Sequence, residues 1–349
     1  MKRLLFAATL MTLSLGAASS PVTAQGQNCA PAGGLNFVCG LKAPEDLVLV
    51  PNTRRLIASG MQAGGALSVI DTTAKTARPV TVTARADKTR FPDCPGPLDM
   101  KQAILHGLSL RTLPNGGYRL YATNHGGRES VEAFELAANG ASATWVGCVV
   151  MPDKLAANSV AAFRDGTILA TVLTMPGKTF EDLFALRNTG AVFMWTPGSK
   201  SFRQLPGTEL PGNNGIETSP DDREFYVAAS GAKRIVAFSR MDPSKPLRYA
   251  QLKEFAPDNV RFVGSRLVTA GMLDAEPSCG GAPKKPEDIQ CPRGWVADAV
   301  DPKTMAITEI ARGPVAKPYT GTATALQVGD DLWLSSFNTD RVAYRSIKK

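Results

Sequence analysis

The sequence predicts an all-β fold, a six-bladed β-propeller. Three observations lead there. Short apolar runs alternate with turn residues along almost the whole chain, and helical periodicity is nearly absent. The runs pair off across Pro-Asn, Asn-Gly and Asp-Gly turns, the usual chemistry of hairpins. A polar residue opens a new hairpin module at intervals of 45 to about 63 residues. Blades of four strands recur at roughly 40–50 residues. A single blade cannot bury both faces, so neighbours and ring closure have to supply the rest of its core.

The clearest module is Asn213 to Ser230, NNGIETSPDDREFYVAAS. A polar head is followed by period-2 alternation, a Pro-Asp turn and a second apolar run. Earlier in the chain, Leu47 to Val50 and Arg55 to Ser59 flank a turn at Pro51-Asn52-Thr53, and Leu67 to Asp71 and Val80 to Thr83 follow. After a Pro-rich loop from Phe91 to Pro97, Leu105 to Arg111 and Arg119 to Thr123 flank Pro114-Asn115-Gly116-Gly117. Val131 to Leu136 pairs with Thr144 to Met151, and Ser159 to Phe163 with Thr167 to Val172. The one short helix expected is Lys178 to Arg187, either a surface decoration or a lid over the channel mouth.

Residues 1–24 are set apart from the fold. Lys2 and Arg3 precede an apolar stretch from Leu4 to Ala18, and Val22-Thr23-Ala24 forms a small-residue cleavage site. This is the pattern of a secretory signal peptide. The apolar core is shorter than the roughly 20 residues that span a bilayer, so no stable membrane insertion is expected. The expected location is periplasmic or secreted, with residues 25–349 forming a single propeller domain. Net charge is +8, or +6 without Lys2 and Arg3. The basic residues are scattered, which argues against nucleic-acid binding and fits simple solubility. Six cysteines in an exported chain suggest disulfides, expected here as Cys29–Cys39, Cys94–Cys148 and Cys279–Cys291. The last would staple a Gly/Pro-rich loop. The absence of any CxxC pair argues against zinc.

The module-opening residues are Glu45, His106, Asn158, Asn214, Asn259 and a position near Thr322. First strands line the axis of a propeller, so these residues would converge on one axial site. With Asp258 included, the set offers two carboxylates and three carboxamides, hard oxygen donors that suit Ca²⁺ rather than zinc or copper. His106 and His125 are the only histidines. Placed on antiparallel neighbours of one hairpin, they could act as a general base and its relay. Lys101, Glu217 and Asp274 are further possible channel residues. No GxSxG nucleophile motif is present.

The segments PEDLVLVPN, HGLS, LYATNHGG, LAANSVAAF, NNGIETSPDDREFYVAAS and PDNV resemble the paraoxonase/arylesterase family, within the wider SMP-30/gluconolactonase-like propeller group. That resemblance implies calcium-dependent hydrolysis of lactones and aryl esters. It assigns Glu45, Asn158, Asn214, Asp258 and Asn259 to the catalytic calcium, His106 to the general base and His125 to its support. It also implies a second, structural calcium for which Asp46 matches one ligand, although Ser159 stands where the family pattern has Asp. The family's disulfide joining the chain ends has no counterpart after Cys291. The alternatives are a strictosidine-synthase-like or sugar-lactonase propeller, which would not need the histidine pair, and a non-catalytic ligand-binding propeller.

Overall fold

The computed structural model describes residues 29–114 and 116–348, so the expected signal peptide lies outside the described residues. Six antiparallel four-strand units follow one another. Their first strands are Leu47–Leu49, Leu105–Thr112, Val160–Ala162, Asn213–Thr218, Val260–Val263 and Thr322–Val328. Each of these touches the first strand of the next unit, and the sixth touches the first. This is a closed six-bladed propeller with the first strands around the axis.

The ring is closed by both ends of the described chain. Asn36–Cys39 forms the outermost strand of blade 6, antiparallel to Arg341–Ser346 with Phe37 opposite Ala343. No sequence expectation covered this strand, because NFVC is too short to show a pattern. The disulfide Cys29–Cys39 anchors it, and Cys94–Cys148 and Cys279–Cys291 are also formed. All three expected pairings are therefore present. Three disulfides suit an extracellular or periplasmic protein. Among the described residues no helix is long and apolar enough to cross a membrane.

Two elements differ from expectation. Blade 1 ends with Thr76–Pro79, a largely exposed edge strand whose TARP sequence carries no apolar alternation. The run expected at Val80 to Thr83 instead contributes Thr81–Ala84, which pairs in parallel with Ser142–Val150 as a fifth strand of blade 2. The expected helix is shorter, Phe180–Phe184, capped by Thr179 and closed by a reciprocal bond from Asp182.

The core lies between the blades. Its largest fully buried side chains include Trp295, Trp333, Phe134, Phe163, Phe225 and Phe238. One apolar position recurs in every blade: Leu47, Leu108, Val160, Ile216, Val260 and Ala325, each at most 1 % exposed. These residues pair with Ala58, Ala122, Ala170, Val227, Thr269 and Leu334 on the second strands. They fix the register of each blade and hence what precedes it.

Candidate active site

Two residues before each of those core positions stand Glu45, His106, Asn158, Asn214, Asp258 and Ala323. The six blades therefore present one residue each at the same register. Two local devices achieve this. In blades 1, 3 and 5 the inner strand is short and the residue lies just ahead of it. In blades 2, 4 and 6 the inner strand continues, and a β-bulge between Leu105 and Leu108, Asn213 and Ile216, or Thr322 and Ala325 re-aims it.

The glycines of HGLS and NNG are explained by the same crowding. A Cβ on Gly107 would stand 2.5 Å from Ser159 Cα, and one on Gly215 would stand 2.6 Å from Asn259 Cα. At the bulges of blades 2 and 4 the neighbouring inner strands approach too closely for a Cβ. Ala323 is the sixth ring position, next to Thr322 where the sequence places it, so blade 6 offers no side-chain donor. The Thr322 hydroxyl donates to Tyr319 Oη at 3.0 Å.

The ring contains an electrostatic imbalance. Glu45 is 1 % exposed, yet its Oε2 has no hydrogen-bond donor. The Oδ1 atoms of Asn158, Asn214 and Asn259 are likewise buried and unpartnered. Buried polar groups are normally paired, and a lone buried charge is costly. Asn259 Nδ2 donates to Glu45 Oε1 at 2.6 Å, which leaves its own oxygen free. Burial pushes the Asp258 carboxyl up to about 8, and Glu45 adds to the shift. Among the described residues no three His, Cys, Asp or Glu side chains group as metal ligands. A cation here would rest on carboxamides as well as the two carboxylates. Four orphaned hard oxygens fit calcium, which accepts such ligands in irregular geometry.

Asp46 does not share this character. Its Oδ1 accepts from Leu47 N and Thr324 Oγ1, both at 2.8 Å, and its Oδ2 accepts from Leu108 N at 2.7 Å and from the Arg261 guanidinium. Four donors use the four lone-pair sites of a carboxylate. In this structure the residue expected as a ligand of a second calcium, Asp46, faces Arg261 with its lone pairs taken up.

His106 and His125 meet as expected, with Nδ1 of His106 3.0 Å from Nε2 of His125. His106 Nε2 lies 3.6 Å from Glu45 Oε2. Burial opposes charging of His106, but Glu45, Asp258 and Asp46 outweigh it and its pKa is raised. Sequence reasoning missed a third member: His125 Nδ1 lies 2.9 Å from Glu129 Oε2. The only available signal was the four-residue spacing in HGGRE, which is not distinctive in a β protein.

A pocket of about 130 Å³ opens over the ring, with Asn214 and Asp258 in its lining. Its walls are mostly apolar and include Leu173, Phe180, Leu183, Phe184, Ile289 and Phe337. The short helix therefore lies over the channel mouth, and Ile289 belongs to the loop stapled by Cys279–Cys291. A larger groove of about 690 Å³ runs along Pro246–Gln251 on the outside of blade 4, and no ring residue lines it. Of the other channel candidates, Asp274 lines the pocket and pairs with Lys233 at 2.6 Å. Glu217 lies 3.9 Å from Arg261 Nη1, and Lys101 is exposed.

The family described as SMP-30/Gluconolactonase/LRE-like region matches residues 61–267. This chain belongs to that family. At this level the assignment supports a lactonase-type propeller enzyme acting on a small molecule. No curated protein matches the chain. Among solved structures, a gluconolactonase from Xanthomonas campestris is similar at 15% identity and TM-score 0.53, over 90% of this chain and 91% of that one. The allergen Mala s 1 of Malassezia sympodialis is similar at 14% identity and TM-score 0.54, over 91% and 96%. A PQQ-bound aldose sugar dehydrogenase from Streptomyces coelicolor is similar at 13% identity and TM-score 0.52, over 90% and 99%. These likenesses show the shared fold alone.

Proposed function

We propose that this protein is a calcium-dependent hydrolase of lactones or aryl esters carrying apolar substituents. The observation that carries the reading is the set of four buried, unpartnered oxygens on Glu45, Asn158, Asn214 and Asn259, next to a histidine pair. Those residues and Asp258 would hold the ion. Bound calcium supplies Lewis-acid polarisation of the ester carbonyl and a counter-charge for the developing oxyanion.

The rest of the chemistry belongs to the chain. Glu129 favours a proton on His125 Nδ1, which leaves His125 Nε2 to accept from His106 Nδ1–H. His106 Nε2 is then the free base directed at the ring. It takes a proton from the attacking water as the new C–O bond forms at the carbonyl carbon. The same proton returns to the leaving alkoxide as the old C–O bond breaks, giving a carboxylate and an alcohol. In a lactone both products stay on one molecule. The positive charge on His106 is shared with His125 and supported by Glu129, which lies nearer solvent. The apolar walls exclude water and favour alkyl or aryl groups over a polyhydroxylated ring, whose hydroxyls would lose hydrogen bonds there.

The test is hydrolysis of a panel of aryl esters and γ/δ-lactones, apolar and hydroxylated, by the calcium-loaded and chelator-treated protein. Activity should vanish with chelator and return with calcium. His106→Gln should lower kcat by about 10²–10⁴-fold. A folded, calcium-loaded protein that turns over nothing in the panel would favour a non-catalytic ligand-binding propeller. Preference for hydroxylated lactones would favour the sugar-lactonase alternative.

A further inference from the structure

Deeper along the inner strands lies a second charged cluster that the proposed hydrolysis does not use. Arg261, 3 % exposed, sits on the first strand of blade 5 and extends its guanidinium into the channel. Nη2 donates to Asp46 in blade 1 and to Leu108 O in blade 2 at 2.7 Å. Nη1 donates to Val260 O in blade 5 at 2.8 Å and to Ile216 O in blade 4 at 3.2 Å, with Glu217 Oε2 3.9 Å away. Thr324 of blade 6 holds Asp46 from the other side. One buried cation thus draws together carbonyls and carboxylates from four blades, and a fifth is tied in through Asp46.

Hard oxygens from several strands around one buried positive charge are the surroundings a structural calcium would need. Here the positive charge is covalently part of the chain. A second ion would need Asp46, whose lone pairs are used, and would lie against a guanidinium, a like charge in a low-dielectric setting. We propose that Arg261 is the resident cation of the deeper channel, so that no divalent ion binds there and the chain's metal is confined to the ring of Glu45, Asn158, Asn214, Asp258 and Asn259. The confinement to that ring rests on the functional reading above. The role of Arg261 stands on its own contacts.

The decisive measurement is metal content by elemental analysis after dialysis against dilute calcium, on the wild-type protein and on a Glu45→Ala/Asn214→Ala double variant. The expected counts are one calcium per chain and none. Two ions in the wild type, or one retained in the double variant, would overturn the inference. No ion in the wild type would reject the ring as a calcium site while leaving the deeper channel free of metal, as inferred. As a second measurement, Arg261→Met removes the cation and keeps most of the side chain's length. It should lower the midpoint of thermal unfolding by roughly 10 °C, the scale for breaking a buried charge pair in a chain of this size. An unchanged midpoint would show that the guanidinium does not hold the channel together, and would overturn the proposal.

Discussion

Calcium should stabilise this protein strongly, by an amount that follows from the ring itself. In the metal-free chain four buried oxygens have no donor. Each unsatisfied group costs about 1–3 kcal/mol, so the ring stores roughly 4–12 kcal/mol of unfavourable polar burial. Part of this is recovered when a cation binds the native state and not the unfolded one. At free calcium 100- to 1,000-fold above Kd the stabilisation is about 2.7–4.1 kcal/mol. For a domain of about this size each kcal/mol moves Tm by roughly 2–4 °C. The expected rise is therefore about 5–16 °C. The assay is thermal unfolding followed by near-ultraviolet circular dichroism, comparing chelator-dialysed protein with the same protein in millimolar calcium and in millimolar magnesium. Magnesium demands near-octahedral geometry and keeps its waters, so it should give a smaller shift. Glu45→Gln, which removes the ring carboxylate whose Oε2 has no donor, should abolish most of the response. A folded protein whose Tm moves by less than about 1 °C with calcium would refute the reasoning, because the orphaned oxygens would then be satisfied by something other than a cation.

The metal-free protein should also lose stability as pH rises. Asp258 keeps its proton to about 8 when folded, against 3.8 for an ordinary aspartate. Between those values the unfolded chain has released a proton that the native state retains. Raising pH therefore favours unfolding, by about 1.4 kcal/mol per pH unit for one such group. The contribution is fully present below pH 4 and is lost as pH passes 8. Calcium should flatten this slope, and Tm measured from pH 5 to pH 9 with and without the ion checks it. Glu129→Gln should lower kcat with little change in KM and disturb the His125 tautomer. Because the chain has two histidines, ¹⁵N resonances of the imidazoles report this without overlap, and an unaltered His125 pattern would count against the relay. Gly215→Ala should weaken calcium binding as well as stability, since the new Cβ would meet backbone atoms of both Asp258 and Asn259. Full calcium affinity in that variant would show that the close approach of blades 4 and 5 does not position the ring.

Most of the fold was legible because a blade repeats, and repetition makes weak signals add. One short apolar run after an asparagine says little, but several at blade spacing define an axis. The same logic located Glu45, His106, Asn158 and Asn214, all two residues before a buried strand position. In blade 5 the module-opening residue expected, Asn259, lies one past the register position, which Asp258 holds; in blade 6 the position near Thr322 is Ala323. The resemblance implies Asp46 as a ligand, and nothing near it in sequence points to Arg261, its ion-pair partner 215 residues later. Glu129 escaped notice for a similar reason: its role depends on the direction of one imidazole. The edge strands Asn36–Cys39 and Thr76–Pro79 gave no periodic signal because edge strands need not bury a full face.

The similar solved structures include a lactonase, a sugar dehydrogenase and an allergen, so the propeller by itself does not select a chemistry. What selects it is the side chain each blade places at one register position. In this chain that position holds two acids, two amides, one imidazole and one alanine, and the alanine contributes neither charge nor donor. Phe337 and Thr322 both come from blade 6 and both line the pocket. Blade 6 therefore adds no ligand to the ring, while its Thr322 and Phe337 form part of the pocket wall beside it. Ala323→Asp tests this asymmetry. A sixth oxygen ligand should tighten calcium binding by supplying another charge, while raising KM for an apolar lactone because it sets an acid next to the apolar pocket wall. Tighter calcium binding with unchanged KM would place the substrate elsewhere on the ring.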